Sequence, residues 1–370
     1  MKRHKKHSFL EKPLGGQFHR NEIGFIGAPC GVIQGLAEQL AAALPQLRVG
    51  YADAEHGKGD VLPGFTRRYT DKISHHQLEF NSKHFAYEAK GGFGDCDLVL
   101  VNANHFPAQQ QVVFIHPAKR ESLQRKLERL TDVGAFVLAE EEDALFDFLI
   151  EHHPAWADLP QFKVHQVAEL AQWVTQEVQP PEVFGLVLAG GQSQRMGQDK
   201  TQLVYHEKPQ REHTAELLHQ VCSKVFVSDR AGNAEGSYPT IADTFLDLGP
   251  YGGILSAFRQ HPNVAWLTVA SDMPLVQAAT LQQLVQQRNA SQLATCFHNP
   301  ETQFPEPLLT LWEPRAYPRL LHFMSLGYSC PRKVLINSDV EELKLERPEL
   351  LKNANTPEER VALQRMIEQA

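Results

Sequence analysis

The sequence predicts two α/β units in tandem, each a doubly wound, mostly parallel sheet. Three observations carry that expectation. Apolar runs of strand length alternate with longer runs of helical period along both halves. The 370 residues exceed the roughly 250 to 300 at which a single core usually stops growing. Gln179-Pro180-Pro181-Glu182 punctuates the middle with a proline pair that stops a helix and stiffens a linker. The expected division is a basic tail over 1–21, a first domain over 22–178, a linker over 179–182 and a second domain over 183–370.

In the first half, Ile23 to Ile26 reads as a strand, Gly27-Ala-Pro-Cys-Gly31 as a turn and Leu36 to Leu44 as a helix. Leu47 to Tyr51, Asp97 to Val101, Val112 to Ile115 and Phe136 to Leu138 read as further strands. Val167, Leu170, Ala171, Trp173, Val174 and Val178 approximate a helical period up to the prolines. Asp53, His56, Lys58, Asn102, Asn104 and His105 fall at strand ends, where open α/β sheets bind ligands.

In the second half, Val183 to Leu188 is a strand with both faces covered. It runs into Ala189-Gly190-Gly191, which lack the bulk that would hold a phosphate away from main-chain N–H groups. Arg195 and Lys200 follow at a spacing that lets both return to one anion, Arg as a fork and Lys as a point charge. The loop expects a polyphosphate. It is neither G-x-x-x-x-G-K-[ST] nor G-x-G-x-x-G followed by an acid. Lys224 to Val227, Pro239 to Ala242 and Ala265 to Ala270 are the next strands, ending at Ser228-Asp229-Arg230, Asp243 and Ser271-Asp272-Met273-Pro274. Asp272 has two readings, a magnesium ligand facing a triphosphate or the N-cap of a helix begun by Met-Pro; beside the glycine loop the first is preferred.

Composition excludes several classes. A net charge of −8 gives no basic stripe for nucleic acid. No apolar run approaches the roughly 18 residues that cross a bilayer. Five scattered cysteines without a C-x-x-C pair fit a reducing cytosol. The start, Met1-Lys-Arg-His-Lys-Lys-His7, has no apolar signal core after it. It reads as a solvated tail or as a docking arm for an anionic partner. The expected location is cytoplasmic.

The string Leu188-Ala-Gly-Gly-Gln-Ser-Gln-Arg-Met-Gly-Gln-Asp-Lys200 resembles the signature of the molybdenum cofactor guanylyltransferases. A bare Gly-Gly turn would not also hold Ser193, Arg195, Met196, Gly197, Asp199 and Lys200 in register. Three further strings resemble the same family in order: the Gly249-Pro-Tyr-Gly-Gly-Ile254 segment, the strand ending at Asp272, and Asn353-Ala-Asn-Thr-Pro-Glu-Glu359. The resemblance covers Val183 to Arg360 and implies a Rossmann-like nucleotidyltransferase fold. It places nucleotide contacts on Leu188, Ala189, Gly190, Gly191, Lys200, Ser228 and Asp243, with Gly252 at the base and ribose pocket. Arg195, Lys200 and Asp272 become the catalytic set, Asp272 holding Mg²⁺. Ser228 departs from the asparagine common there, and Gln210-Arg211-Glu212-His213 replaces an apolar stretch, which leaves guanine over cytosine less secure than nucleotidyl transfer.

The first half resembles a degenerate form of the GTP-binding adaptor protein of the same pathway. Val32-Ile33-Gln34 stand where a Lys-Ser or Lys-Thr would follow the loop, and Asn102 stands where a carboxylate would follow the strand. Without the lysine the phosphate clamp is absent. A structural, docking or cofactor-binding role is preferred there over residual nucleotide binding. The expected reaction is transfer of GMP from GTP to molybdopterin with release of pyrophosphate. The implied partners are GTP or another NTP, molybdopterin, and a molybdoenzyme or its chaperone. The competing readings are a cytidylyltransferase or sugar-phosphate nucleotidyltransferase on the same scaffold, and a non-catalytic cofactor-binding adaptor.

Overall fold

The computed structural model describes residues 10–13, 15–54, 65–81, 86–140, 142, 144–189, 204–230 and 236–369. They divide into two compact units, Leu14–Gln179 and Pro180–Ala370, the latter together with the segment ending at Pro13.

The first unit runs β1 (Glu22–Ile26), α1 (Cys30–Ala43), β2 (Val49–Ala52), β3 (Arg67–Asp71), β4 (His76–Phe80), α2 (Ala86–Gly92), β5 (Leu98–Asn102) and β6 (Gln110–Ile115). It continues with α3 (Arg120–Gln124), β7 (Val133–Leu138), α4 (Asp147–His152), β8 (Gln161–Lys163) and α5 (Val167–Glu177). Six strands form one sheet in the order β2-β5-β1-β6-β7-β8, with parallel pairing throughout. Period-two alternation sends Phe25, Leu100, Val112 and Phe114 to one face, where Ile33, Leu40 and Trp173 of α1 and α5 cover them. Ile26, Val113, Ile115 and Phe136 go to the other face, under Leu149 and Trp156.

Three boundaries differ from the sequence reading. The helix after β1 begins at Cys30, not Leu36, because only Gly27 is needed for the turn. Its φ is +98°, and a Cβ there would stand 2.6 Å from the Phe114 carbonyl oxygen. The expected tail over 1–21 ends earlier, since Phe18 is buried and stacks edge-on against Phe93 and Phe106. The β3–β4 hairpin, with five antiparallel pairs, was not anticipated, because its charged and polar residues show no buried alternation.

The second unit runs β9 (Val183–Leu188), α6 (Gln210–His219), β10 (Lys224–Asp229), β11 (Thr240–Ala242), α7 (Pro250–Gln260), β12 (Ala265–Ala270) and α8 (Ala278–Gln286). Then come β13 (Ala294–Asn299), β14 (Phe304–Trp312), α9 (Ala316–Ser325), α10 (Pro331–Ile336), β15 (Glu341–Leu343) and α11 (Pro357–Glu368). The sheet order is β11-β10-β9-β12-β14-β13-β15. Only β14 runs against its neighbours β12 and β13. The β13–β14 pair escapes a sequence reading because Pro305 and Pro307 interrupt β14, a residue type that central strands normally exclude. Their ladder shifts register between Cys296 and His298.

Phe184, Leu186 and Trp266 face Ile254 and Phe258 of α7 and Leu320 of α9. Val187, Val225, Leu267 and Leu309 face Ala215 and Leu218 of α6 and Leu281 of α8. The entry to β9 is pinned by Arg288, which donates to both Glu313 oxygens at 2.7 Å and to the Pro181 carbonyl at 2.8 Å. Glu313 is 1% exposed, so that ion pair is compensated in a place where a lone carboxylate would be costly. Among the described residues no helix is long and apolar enough to cross a membrane.

Candidate active site

Strand order reverses about β9: β10 lies on one side and β12, much later in the chain, on the other. Such a switch point opens a crevice at the carboxyl ends of its strands, where ligands of open α/β sheets bind. The register sets three residues level across it. Leu188 pairs with Ser228 on β10 and with Ala270 on β12, and neighbouring strands lie about 4.8 Å apart. The strand exits are cross-linked, since the Ala189 N–H donates to Ser228 O and the Ser271 N–H to Leu188 O, both at 3.2 Å.

On one flank, Ser228 Oγ donates to Asp243 Oδ1 at 2.8 Å, and the Asp243 N–H donates to Asp229 O at 3.0 Å. Burial chiefly raises the Asp243 carboxyl above its ordinary range and the Asp229 charge adds to it, against the Ser228 hydrogen bond and Arg230. Helix α7 closes over this pair. A Cβ on Gly253 would stand 2.6 Å from Ser228 Oγ and 3.3 Å from Leu188 Cδ2. A Cβ on Gly252 would meet the Phe245 carbonyl oxygen at 2.2 Å. Gly252, expected at the pocket, therefore answers to packing against Phe245, and its neighbour Gly253 is the glycine that faces Ser228. The helix begins at Pro250 behind Gly249, whose φ is +55°.

On the other flank, Asp272 stands two residues beyond Ala270. The helix-cap reading of Asp272 fails, because α8 starts at Ala278 with Gln277 as its cap. Asp272 instead sits in a turn whose carbonyl accepts the Ala354 N–H at 2.8 Å. That bond brings the Asn353-Ala-Asn355 string to the end of β12. Thr356 and Glu359 form a reciprocal capping box that starts α11 just behind it. Tyr205, which sequence reasoning did not single out, is buried among Leu275, Leu350, Ala354 and Leu363. Among the described residues its hydroxyl has no hydrogen-bond partner; burial raises its pKa, Arg360 lowers it and the Asp272 charge raises it. Its sequence signal is an aromatic residue ending the short apolar run Leu203-Val204-Tyr205, which says nothing of a site.

Gly190, Gly191, Arg195 and Lys200 lie outside the described residues. Of the remaining expected residues, the structure brings together Leu188, Ala189, Ser228 and Asp243 on one flank and Asp272 on the other. At the start of α6, Gln210 and Arg211 are buried despite their polarity. Beside them the His206 and His213 rings stack at 4.0 Å. Burial, then the His206 charge, lowers His213 to about 4. A single hard carboxylate oxygen at the end of a central strand suits Mg²⁺, which takes one or two protein carboxylates and completes its shell with phosphates and water.

The carboxyl edge of the first unit's sheet holds a second constellation. Asp53, Asn102, Asn104 and His105 converge there as the strand-end placement implies, joined by Tyr51 and Cys30. His56 and Lys58 lie outside the described residues.

A parallel 3-2-1-4 strand arrangement with its switch point at β9 and a carboxylate at the next strand end is the frame of a nucleotidyltransferase of the α/β class. The MobA-like NTP transferase domain family matches residues 185–341. A molybdenum cofactor guanylyltransferase of Xanthomonas euvesicatoria pv. vesicatoria is 36% identical over 183 residues, 47% of this chain and 90% of that protein. The chain belongs to the molybdenum cofactor guanylyltransferase family. A molybdenum cofactor biosynthesis bifunctional protein of Synechocystis sp. is 33% identical over 187 residues, 50% of this chain and 54% of that protein. This chain thus spans about half the length of that relative. The crystal structure of molybdopterin-guanine dinucleotide biosynthesis protein A from Archaeoglobus fulgidus covers 51% of this chain and 100% of its own, at 21% identity and a TM-score of 0.43.

Proposed function

We propose that the chain transfers GMP from GTP to the terminal phosphate of molybdopterin, with release of pyrophosphate, in molybdenum cofactor biosynthesis. The observation that carries this reading is the level placement of Leu188, Ser228 and Ala270 at the switch point, with the glycine loop leaving one strand and Asp272 the next. The reaction needs alignment and charge neutralisation more than covalent help. The loop amides after Ala189, with Arg195 and Lys200, hold the triphosphate. Ser228 and Asp243, oriented toward each other, meet the nucleoside, and Gly253 leaves room for them. Asp272 is the ligand for Mg²⁺, which when bound neutralises phosphate charge. Asn353 and Asn355, tied to Asp272 through Ala354, face the acceptor. No general base is required, because the acceptor phosphate is already ionised near neutral pH. The location is proposed as cytoplasmic, with a molybdoenzyme or its chaperone receiving the product.

The test is incubation with each NTP in turn, Mg²⁺ and molybdopterin, with mass identification of the product and detection of pyrophosphate. A molybdopterin guanine dinucleotide formed from GTP supports the reading. A cytosine dinucleotide from CTP would reassign the base. Molybdopterin binding without pyrophosphate from any NTP would make the chain an adaptor.

A further inference from the structure

We propose that Cys30 is a reactive thiol served by His105 as general base, and that the carboxyl edge of the first unit's sheet undergoes reversible S-thiolation by an anionic low-molecular-weight disulfide. Cys30 opens the 14-residue helix α1 at the end of central strand β1. Its Sγ lies 3.2 Å from His105 Nε2, a residue 75 positions away in the chain. The same nitrogen is 3.9 Å from Asp53 Oδ1. Nucleophile and base are thus within hydrogen-bond reach, the arrangement that activates a weak nucleophile, and the Asp53 charge lies close enough to favour the imidazolium that forms.

The support behind them is built. Tyr51 Oη donates to Asp53 Oδ2 at 2.6 Å, while Asn102 Nδ2 and the Ala54 N–H donate to Oδ1 at 2.8 and 2.7 Å. Burial raises the Asp53 carboxyl, but these three hydrogen bonds and His105 outweigh it and hold it below its ordinary range. Asn104 braces the loop before Cys30, its Nδ2 donating to Ala28 O at 2.9 Å. Both Asp53 oxygens are already engaged as acceptors, which suits a fixed negative charge beside the ring rather than a metal ligand. Among the described residues no three such side chains form a metal cage.

Charge selects the partner. Arg129 Nη1 donates to Asn104 O at 3.4 Å, one residue before His105, and Lys126, lowered by burial and by Arg129, Lys119 and Arg125, has Cys30 within its field. A cationic rim beside a partly exposed thiol favours a disulfide carrying carboxylates. In the step, Cys30 Sγ–H gives its proton to His105 Nε2, and Sγ bonds to one sulfur of the disulfide as the old S–S bond breaks. The second sulfur leaves as a thiolate and takes the proton from His105. Cys30 sulfur is oxidised and the departing sulfur reduced, so the electrons balance.

Of the other four cysteines, Cys222 and Cys296 are buried, Cys96 is partly exposed and Cys330 is exposed, which makes Cys330, the most accessible, the internal reference. The full chain is treated with oxidised glutathione, quenched at intervals, and the modified peptides are quantified by mass. Cys30 is expected to react about tenfold or more faster than Cys330, within the range a positioned base supplies. His105→Gln is expected to slow Cys30 by a similar factor and to leave Cys330 unchanged. Cystamine, a cationic disulfide, is expected to lose the advantage at Cys30 relative to Cys330. Cys330 reacting as fast as Cys30 in the unaltered chain overturns the proposal without recourse to any variant. An unchanged Cys30 rate in a folded His105→Gln protein removes the base, and equal preference for the two disulfides removes the cationic rim.

Discussion

At the residue scale, the proposed chemistry rests on charges that meet a triphosphate from two sides. Lys200→Ala and Asp272→Asn are each expected to lower kcat for pyrophosphate release by about 100-fold or more, the size of effect that removal of a transition-state charge contact produces. Unaltered circular dichroism would show that the fold survives. Full turnover by either variant would take that residue out of the mechanism. His213 gives a pH prediction of defined sign. It titrates ordinarily at 6.5 and is lowered to about 4 by burial and by His206, with Glu216 opposing and Lys208 adding. The folded state therefore favours the neutral ring. Its contribution to stability is complete above pH 6.5 and is lost as pH falls toward about 4. Urea denaturation of the unaltered protein should weaken across that window, and His213→Leu should flatten the fall relative to it.

At the scale of elements, α7 and α11 separate packing from site. Gly252→Ala drives a methyl into the Phe245 carbonyl, 2.2 Å from the new carbon, and backbone there has little room to yield. It is expected to cost about 1–3 kcal/mol in urea denaturation, as overpacking does. Gly253→Ala presses instead on the Ser228 hydroxyl, the movable end of a side chain. Its expected mark is a raised KM for the NTP with a smaller stability loss, and a KM equal to that of the unaltered enzyme would detach Ser228 from nucleotide binding. Thr356→Ala breaks the capping box at α11 and should cost about 1 kcal/mol. Because that helix start is tied to the end of β12 through Ala354, acceptor KM is the kinetic constant expected to move.

At the scale of the whole molecule, the two compact units carry separate cores on separate sheets. A fragment comprising 180–370 retains the bonds that anchor β9, from Arg288 to Pro181 and from the Ala265 N–H to Glu182. It loses the Glu11 contacts to His261 at 3.6 Å and Asn263 at 3.5 Å, which are partly exposed and worth little. The fragment is expected to fold and to release pyrophosphate from NTP and molybdopterin at close to the full chain's rate. A fragment that folds but is inactive would assign part of the reaction to the first unit.

The strands β1, β5, β6, β9, β10 and β12 were legible because parallel strands covered on both faces are apolar runs bounded by turns, a purely local pattern. The strand ends at Leu188, Ser228, Asp243 and Asp272 followed from the same pattern, since a strand's carboxyl end is marked where its apolar run stops. Local sequence also wrote the capping box at Thr356. The β14 strand was hidden by its prolines, and Gln210 and Arg211 were hidden because nothing local makes a polar helix start buried. Tertiary structure alone decided that Gly253 faces Ser228, that Tyr205 lies within the field of Asp272, and that Cys30 meets His105. Each is an approach between residues distant in the chain, set by strand order and register, and neither quantity is encoded in the neighbourhood of any one residue.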